Sequence, residues 1–130
     1  MEKSKLYFTN PIIKNINYKV NLNLEPYNDG SIDIANTFKL NIKRAENKNE
    51  ALVELNIIIG EEDEKLPFFI DMIICAIFKW EDAYDEKTLQ GLLSINAPAL
   101  LLGYARPMIA TITNMSPYPV YNLPFYNFTK

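Results

Sequence analysis

Between residues 88 and 129 the only ionisable side chain other than tyrosine is Arg106. A helix on a protein surface normally turns a charged face to water. The run over residues 97–115, Ala-Pro-Ala-Leu-Leu-Leu-Gly-Tyr-Ala-Arg-Pro-Met-Ile-Ala-Thr-Ile-Thr-Asn-Met, is apolar or small nearly all round. Such a helix needs cover on both sides, and a chain of 130 residues supplies cover on one. The other side is expected to meet a second copy or a partner.

The remaining composition narrows the class. The length fits a single domain over 1–130, and 48% hydrophobic residues suffice for a core. A net charge of −3, with eleven lysines scattered along the chain, lacks the basic stripe that phosphate binding needs, so no nucleic-acid partner is expected. Cys75 is the sole cysteine, which excludes an internal disulfide and suits a reducing compartment. The opening Met1-Glu-Lys-Ser-Lys is not followed by an apolar signal core. The best candidate for a membrane helix is interrupted by Pro98, Arg106 and Pro107, so no membrane insertion is expected. The expected address is the cytoplasm.

Hydrophobic periodicity divides the chain into a sheet (about 12–80), a linker with a short helix (81–97), a long helix (98–116) and an aromatic loop (117–130). Ile16, Tyr18, Val20, Leu22 and Leu24 alternate with polar residues, which predicts a strand with one wet face. Turn chemistry at residues 25–30 ends it. Phe38, Leu40 and Ile42 predict a second strand, residues 52–59 a third, and residues 67–78 a fourth that is apolar on both faces. Short turns between neighbours suggest an antiparallel meander. Asn96 is expected to cap the long helix with Pro98 in its first turn, and Pro107 to kink or break it. The layers follow: the sheet's apolar face is covered by the helix, giving an α+β domain.

The chemistry is sparse. Absence of histidine removes the commonest general base and most zinc ligand sets, so no metal or cofactor is expected. Cys75 lies among isoleucines and reads as a small buried hydrophobe. The acids at residues 61–64 lack the alternation and central glycine of a calcium loop and read as a solvated hairpin tip. Glu81, Asp82, Asp85 and Glu86 read as decoration of a linker and helix start. No active site is expected. What remains is aromatic surface: Phe68, Phe69, Phe78 and Trp80 around the fourth strand, and Tyr118, Tyr121, Phe125, Tyr126 and Phe128 on the loop. Such rings either pack a core and subunit contacts or line an exposed apolar groove for polypeptide.

Two stretches carry a family resemblance. From Asn96 the chain reads Asn-Ala-Pro-Ala-Leu-Leu-Leu-Gly-Tyr-Ala-Arg-Pro-Met-Ile-Ala, and from Tyr118 it reads Tyr-Pro-Val-Tyr-Asn-Leu-Pro-Phe-Tyr-Asn-Phe. This resembles the SecB family of export chaperones, in which a helix with Pro-x-x-Leu-x-x-Tyr-Ala-Arg precedes a loop with Leu-x-Pro-x-x-Phe. Tyr104-Ala105-Arg106 and the Asn122-Leu123 to Asn127-Phe128 loop are its specific part, and Ile70-Asp71 and Ile77-Phe78 occupy family-like positions. The likeness is specific over residues 68–128 and weaker before them. The matched region stops ahead of the family's second helix and acidic tail.

The resemblance implies a four-stranded antiparallel sheet of Greek-key connectivity with a long helix packed on it. It also implies a homotetramer, built as a dimer of dimers, that holds unfolded polypeptides without ATP in service of protein export. Phe78, Trp80, Tyr118, Tyr121, Leu123, Phe125 and Phe128 would line or support the polypeptide groove. Leu101, Tyr104, Arg106 and Met108 would serve the oligomer interface, and Asp71 would contact the SecA motor. An alternative reading is a SecB-like dedicated chaperone or interaction module for one partner, such as an antitoxin. Arg106, a lone charge in apolar surroundings, is expected to have a buried partner.

Overall fold

The most apolar segment of the chain becomes the spine of a single antiparallel sheet. The computed structural model describes residues 6–24, 34–62, 66–81 and 84–129. The expected turn at residues 25–30, and the acids Asp63, Glu64 and Asp82, lie outside the described residues. The strands are β1 (Leu6–Phe8), β2 (Ile12–Val20), β3 (Asn36–Arg44), β4 (Glu50–Ile59) and β5 (Phe68–Trp80). β5 pairs with β4 along one side and with both β1 and β2 along the other, while β3 pairs with β4.

Four strands were expected and five are present among the described residues. The first two are one edge interrupted around Pro11, whose ring nitrogen cannot donate to a ladder. Thr9 spans the break: its amide donates to the Ile77 carbonyl and its Oγ1 accepts from the Ile77 amide, both at 2.9 Å. The first long strand starts at Ile12 rather than Ile16, and Leu22 and Leu24 fall beyond its end. The simple meander is also corrected. β2 lies beside β5, not beside β3, so the order is that of a Greek key, as the family resemblance implied.

Register separates two faces. Ala51, Val53, Leu55, Ile57 and Ile59 of β4 stand opposite Phe78, Ala76, Ile74, Met72 and Ile70 of β5, and all are buried. This inner face is covered by one continuous helical run: α1 (Glu86–Gly91), a π-helical turn (Leu92–Asn96) and α2 (Ala97–Thr113). Leu89, Leu93, Leu101, Leu102, Ala105 and Ile109 are its buried stripe. Each such leucine or isoleucine contributes about 1.5–3 kcal/mol when fully buried. At Gly60 the backbone has φ +74°, and a Cβ there would lie 2.8 Å from the Phe68 carbonyl oxygen, so the turn requires glycine.

The helix differs from expectation in three ways. Its start lies at Glu86 and is capped by Asp85, whose carboxylate accepts from the Thr88 amide at 2.7 Å. Asn96 does not cap anything: it lies inside helical backbone, where the Ala97 amide reaches back to the Leu92 carbonyl. Nor does Pro107 break α2. The carbonyl that loses its partner belongs to Gly103, which is exposed and open to water. The run Glu86–Thr113 is therefore 28 residues and, by length and composition, long and apolar enough to cross a membrane, contrary to expectation. Its inner stripe instead packs on the sheet.

The outer face of the sheet is uncovered by any described helix. Here Lys14, displaced by a bulge between Ile13 and Asn15, donates to Glu54 at 2.8 Å, and Asn41 donates to the other carboxylate oxygen at 3.4 Å. The hydrogen bond from Lys14, aided by its charge, holds the Glu54 carboxyl below the usual carboxylate range. A lowered folded pKa contributes stability that is complete above the unfolded carboxylate pKa and is lost as pH falls through the folded value. Replacing Lys14 with methionine is therefore expected to move the acid-unfolding midpoint, followed by circular dichroism, to higher pH. An unmoved midpoint would mean that the pair contributes nothing to stability.

Candidate polypeptide-binding surface

After Thr113 the chain leaves the helix and crosses back along the helical side of the sheet, and its rings divide into two sets. The first set is anchored. Tyr118 is buried, and its hydroxyl donates to the carbonyl of Asn21. Tyr121 is buried too: its amide donates to Thr113 Oγ1 at 2.9 Å, its hydroxyl donates to the Ile34 carbonyl at 3.3 Å, and Asn36 Nδ2 donates to that hydroxyl at 2.8 Å. The Tyr121 ring meets Phe68 edge-on at 6.1 Å. Leu123 is fully enclosed.

The second set is displayed. Phe125 is 86% exposed and Tyr126 45%. Tyr126 stacks at 4.5 Å on Phe38, which projects from the inner side of β3, and Phe128 closes on both rings at 6.0 and 4.8 Å. Leu40 and Ile42 continue the apolar line along β3. Two concavities flank it: one among Ala99, Leu102, Gly103, Arg106, Phe125 and Tyr126, the other among Ile42, Arg44, Gln90, Leu93 and Ser94. Arg44 reaches Glu86 and lies 5.7 Å from the Trp80 ring centre, tying β3 to the helix start. Among the described residues β3 pairs on one side only, so its other edge offers free backbone donors and acceptors.

Arg106 has the partner that a lone charge demands, although it is not a carboxylate. Its Nε donates to the Leu123 carbonyl at 2.8 Å, and its guanidinium lies 3.9 Å from the Phe125 ring centre. It fastens the crossing segment to the helix and holds Phe125 in the open. Its head is thus held by its own chain. Leu101 likewise lies wholly beneath the helix, enclosed by its own subunit. Tyr104 and Met108 remain outside, 46% and 43% exposed, with Phe8 at 6.2 Å from Tyr104.

Of the residues expected to line or support a groove, Phe78, Trp80, Tyr118, Tyr121 and Leu123 are buried and can act only from beneath, while Phe125 and the half-buried Phe128 reach the surface. Phe38 and Leu40 belong to the displayed patch and escaped the sequence reading, and Tyr126, read there only as one of the loop's aromatics, joins them. Phe38 and Leu40 looked like ordinary strand residues, and only the return of the loop over β3 sets them apart. Asp71 stands on the outer face, where Asn56 Nδ2 donates to its carboxylate at 2.7 Å. No group of metal-ligating side chains occurs among the described residues.

Comparison with known proteins is consistent with this geometry. The model of the family described as preprotein translocase subunit SecB matches residues 8–130. The protein-export protein SecB of Anaplasma phagocytophilum is 32% identical over 80 residues, 59% of this chain and 51% of that protein. The same protein of Anaplasma marginale is 30% identical over 77 residues, 58% of this chain and 44% of that one. The alignments thus span about half the length of these curated relatives. Among solved structures, the SecB-like chaperone of Mycobacterium tuberculosis, in complex with a peptide from an antitoxin, superposes with a TM-score of 0.76 at 13% identity, covering 94% of this chain and 91% of that one.

Proposed function

Because the chain belongs to the SecB family, we propose that it is an ATP-independent holdase that keeps unfolded polypeptides from aggregating in service of protein export. One observation supports this above the others: exposed Phe125 and the rings of Phe38, Tyr126 and Phe128 form an apolar aromatic patch beside the open edge of β3. An unfolded chain brings apolar side chains and unpaired backbone together. The patch accepts the first, at about 25 cal/mol per Å² removed from water, and the strand edge accepts the second. Rings tolerate many side-chain shapes, so selectivity is low. No bond is made or broken, and no cofactor is needed.

The exposed strip of Tyr104 and Met108 on the helix, with Phe8 of β1 beside it, is the surface that a second copy would cover, in a homotetramer built as a dimer of dimers. Several weak patches on one particle would then add through effective concentration. The cytoplasm is the compartment that suits these roles. Contact with SecA through Asp71 belongs to the same reading and draws least support, since that carboxylate is engaged by Asn56.

A second reading is a dedicated chaperone for one partner, such as an antitoxin. It rests on sharing a fold with a chaperone whose solved structure holds an antitoxin peptide. Light scattering from a thermally unfolding test protein checks the first reading. Aggregation is expected to be suppressed at about one tetramer per client, and unchanged scattering at that ratio would count against any general holdase. Affinity capture then separates the two readings, since many clients favour the first and one recurrent protein the second.

A further inference from the structure

The aromatic patch is partly roofed by its own chain. Residues 124–128, Pro-Phe-Tyr-Asn-Phe, follow the anchored part of the crossing segment, whose last fixed point is the Leu123 carbonyl held by Arg106 at 2.8 Å. Beyond that point, among the described residues, no hydrogen bond joins the backbone of residues 124–128 to the rest of the protein. Ring contacts hold this stretch down instead. Tyr126 lies 4.5 Å and Phe128 6.0 Å from Phe38 of β3, and Phe125 rests on the guanidinium of Arg106 from α2. An uncharged strap thus runs between the helix and the edge strand of the sheet.

The space beneath the strap is apolar and too small for a guest. Ala99, Leu102, Gly103 and Arg106 of α2 meet Phe125 and Tyr126 around a cavity of about 90 Å³. Ligand pockets begin at roughly 300 Å³. A Cβ placed on Gly103 would meet nothing within 4 Å, so this stretch of the helix leaves room above it. A client lying on the closed patch would touch only the outer sides of the strap's rings.

We infer that residues 124–128 are a clamp: the strap swings about Leu123, off Phe38 and α2, to admit an extended polypeptide, and closes over it with its rings. Three features favour the motion. Only exposed ring contacts must part, with no backbone ladder to break. Pro124, at the pivot, has a fixed φ and no donor, so it has no hydrogen bond to lose there. Asn127 accepts from the Thr129 amide at 3.0 Å, so the far end keeps its own turn as it moves. The clamp rests on the reading of this surface as the polypeptide site. It adds a closing step, by which rings that tolerate many side-chain shapes still retain what they have admitted.

The test fastens the strap in its closed position. Ala99→Cys and Phe125→Cys, two positions on one cavity, are introduced into the full chain with Cys75→Ala and joined by a short bis-methanethiosulfonate that dithiothreitol removes. Anisotropy follows binding of a fluorescein-labelled, reduced and carboxymethylated unfolded protein. Tethering is expected to weaken binding at least about tenfold, because it removes the competent conformation. Dithiothreitol is expected to restore the affinity of the untethered variant, and capping each cysteine singly with methyl methanethiosulfonate to leave that affinity unchanged. In the parent, hydrogen exchange at the amides of residues 125–128 is expected to slow at least about tenfold when client is bound. Circular dichroism checks folding, and Gly103→Cys replaces Ala99→Cys if the first pair unfolds the chain. Equal affinity with and without the tether, in a parent that binds client, would overturn the clamp and leave the polypeptide-binding reading standing. Exchange unaffected by client would overturn it likewise. A parent that binds no unfolded protein would remove that reading and the clamp together.

Discussion

Replacing Tyr121 with alanine is expected to destabilise the protein by about 3–5 kcal/mol, the range for emptying a large aromatic site in a core. The ring packs edge-on against Phe68 within the buried cluster. Its hydroxyl also joins Asn36 to the Ile34 carbonyl, so truncation deprives both of that partner as well as opening a cavity. Tyr121→Phe separates the two contributions, since it keeps the ring and removes only the hydroxyl, at about 1 kcal/mol. Thermal unfolding measures both. A Tyr121→Ala variant that melts with the parent would show that the ring is not structural, and would restore it as a candidate for touching polypeptide.

The second large effect lies on client binding. Phe125→Ser with Tyr126→Ser removes two displayed rings from the patch while leaving Phe38, Phe128 and the anchored tyrosines in place. Aromatic rings bring 150–250 Å² each to an interface when fully covered. Even partial cover, at about 25 cal/mol per Å², predicts a loss of roughly 2–4 kcal/mol in affinity for an unfolded client. That is a fall of at least tenfold in holding capacity by light scattering. The melting temperature and solution mass are expected to stay near those of the parent, because Phe125 is 86% exposed and Tyr126 45%. Dissociation of the oligomer with client holding retained would instead assign these rings to a subunit contact.

The two predictions concern rings four positions apart on one loop, and they show where sequence reading reaches its limit. Both lie in the aromatic, proline-containing run over residues 118–128, both fall within the segment that resembles the family, and periodicity says nothing in a segment that has none. A double replacement of Tyr121 and Phe125 would have mixed a core defect with a surface one. Burial separates them: Tyr121 is 5% exposed and Phe125 86%. The cause is positional. Thr113, at the last turn of α2, receives the Tyr121 amide and turns that ring inward, while Arg106, two turns earlier, takes the Leu123 carbonyl and leaves Phe125 outside.

Elements with strong local signals came through well. The alternation in β3, the strand run in β4 and the two apolar faces of β5 each gave a strand within two or three residues of its observed ends. Asp85 caps the helix because its carboxylate and the Thr88 amide are three residues apart, a spacing that sequence displays directly. Weaker punctuation misled. Asn96 and Pro98 look like the start of a helix, yet the preceding turn already fixes helical backbone and a π-helical turn carries the ladder past them. Pro107 looks like a stop, but the packing of Leu101, Ala105 and Ile109 on the sheet outweighs one missing hydrogen bond.

Read alone, the chain gave most of its strands, the helical run and its lack of histidine, because these follow from local periodicity and from composition. Tertiary structure decided the strand order, the side of the sheet on which the aromatic surface falls, and the division of one aromatic loop into anchors and displayed rings. Those outcomes depend on contacts between residues far apart in the chain, such as Phe38 with Tyr126 and Asn36 with Tyr121. No pattern within a short window carries the energy of such pairs.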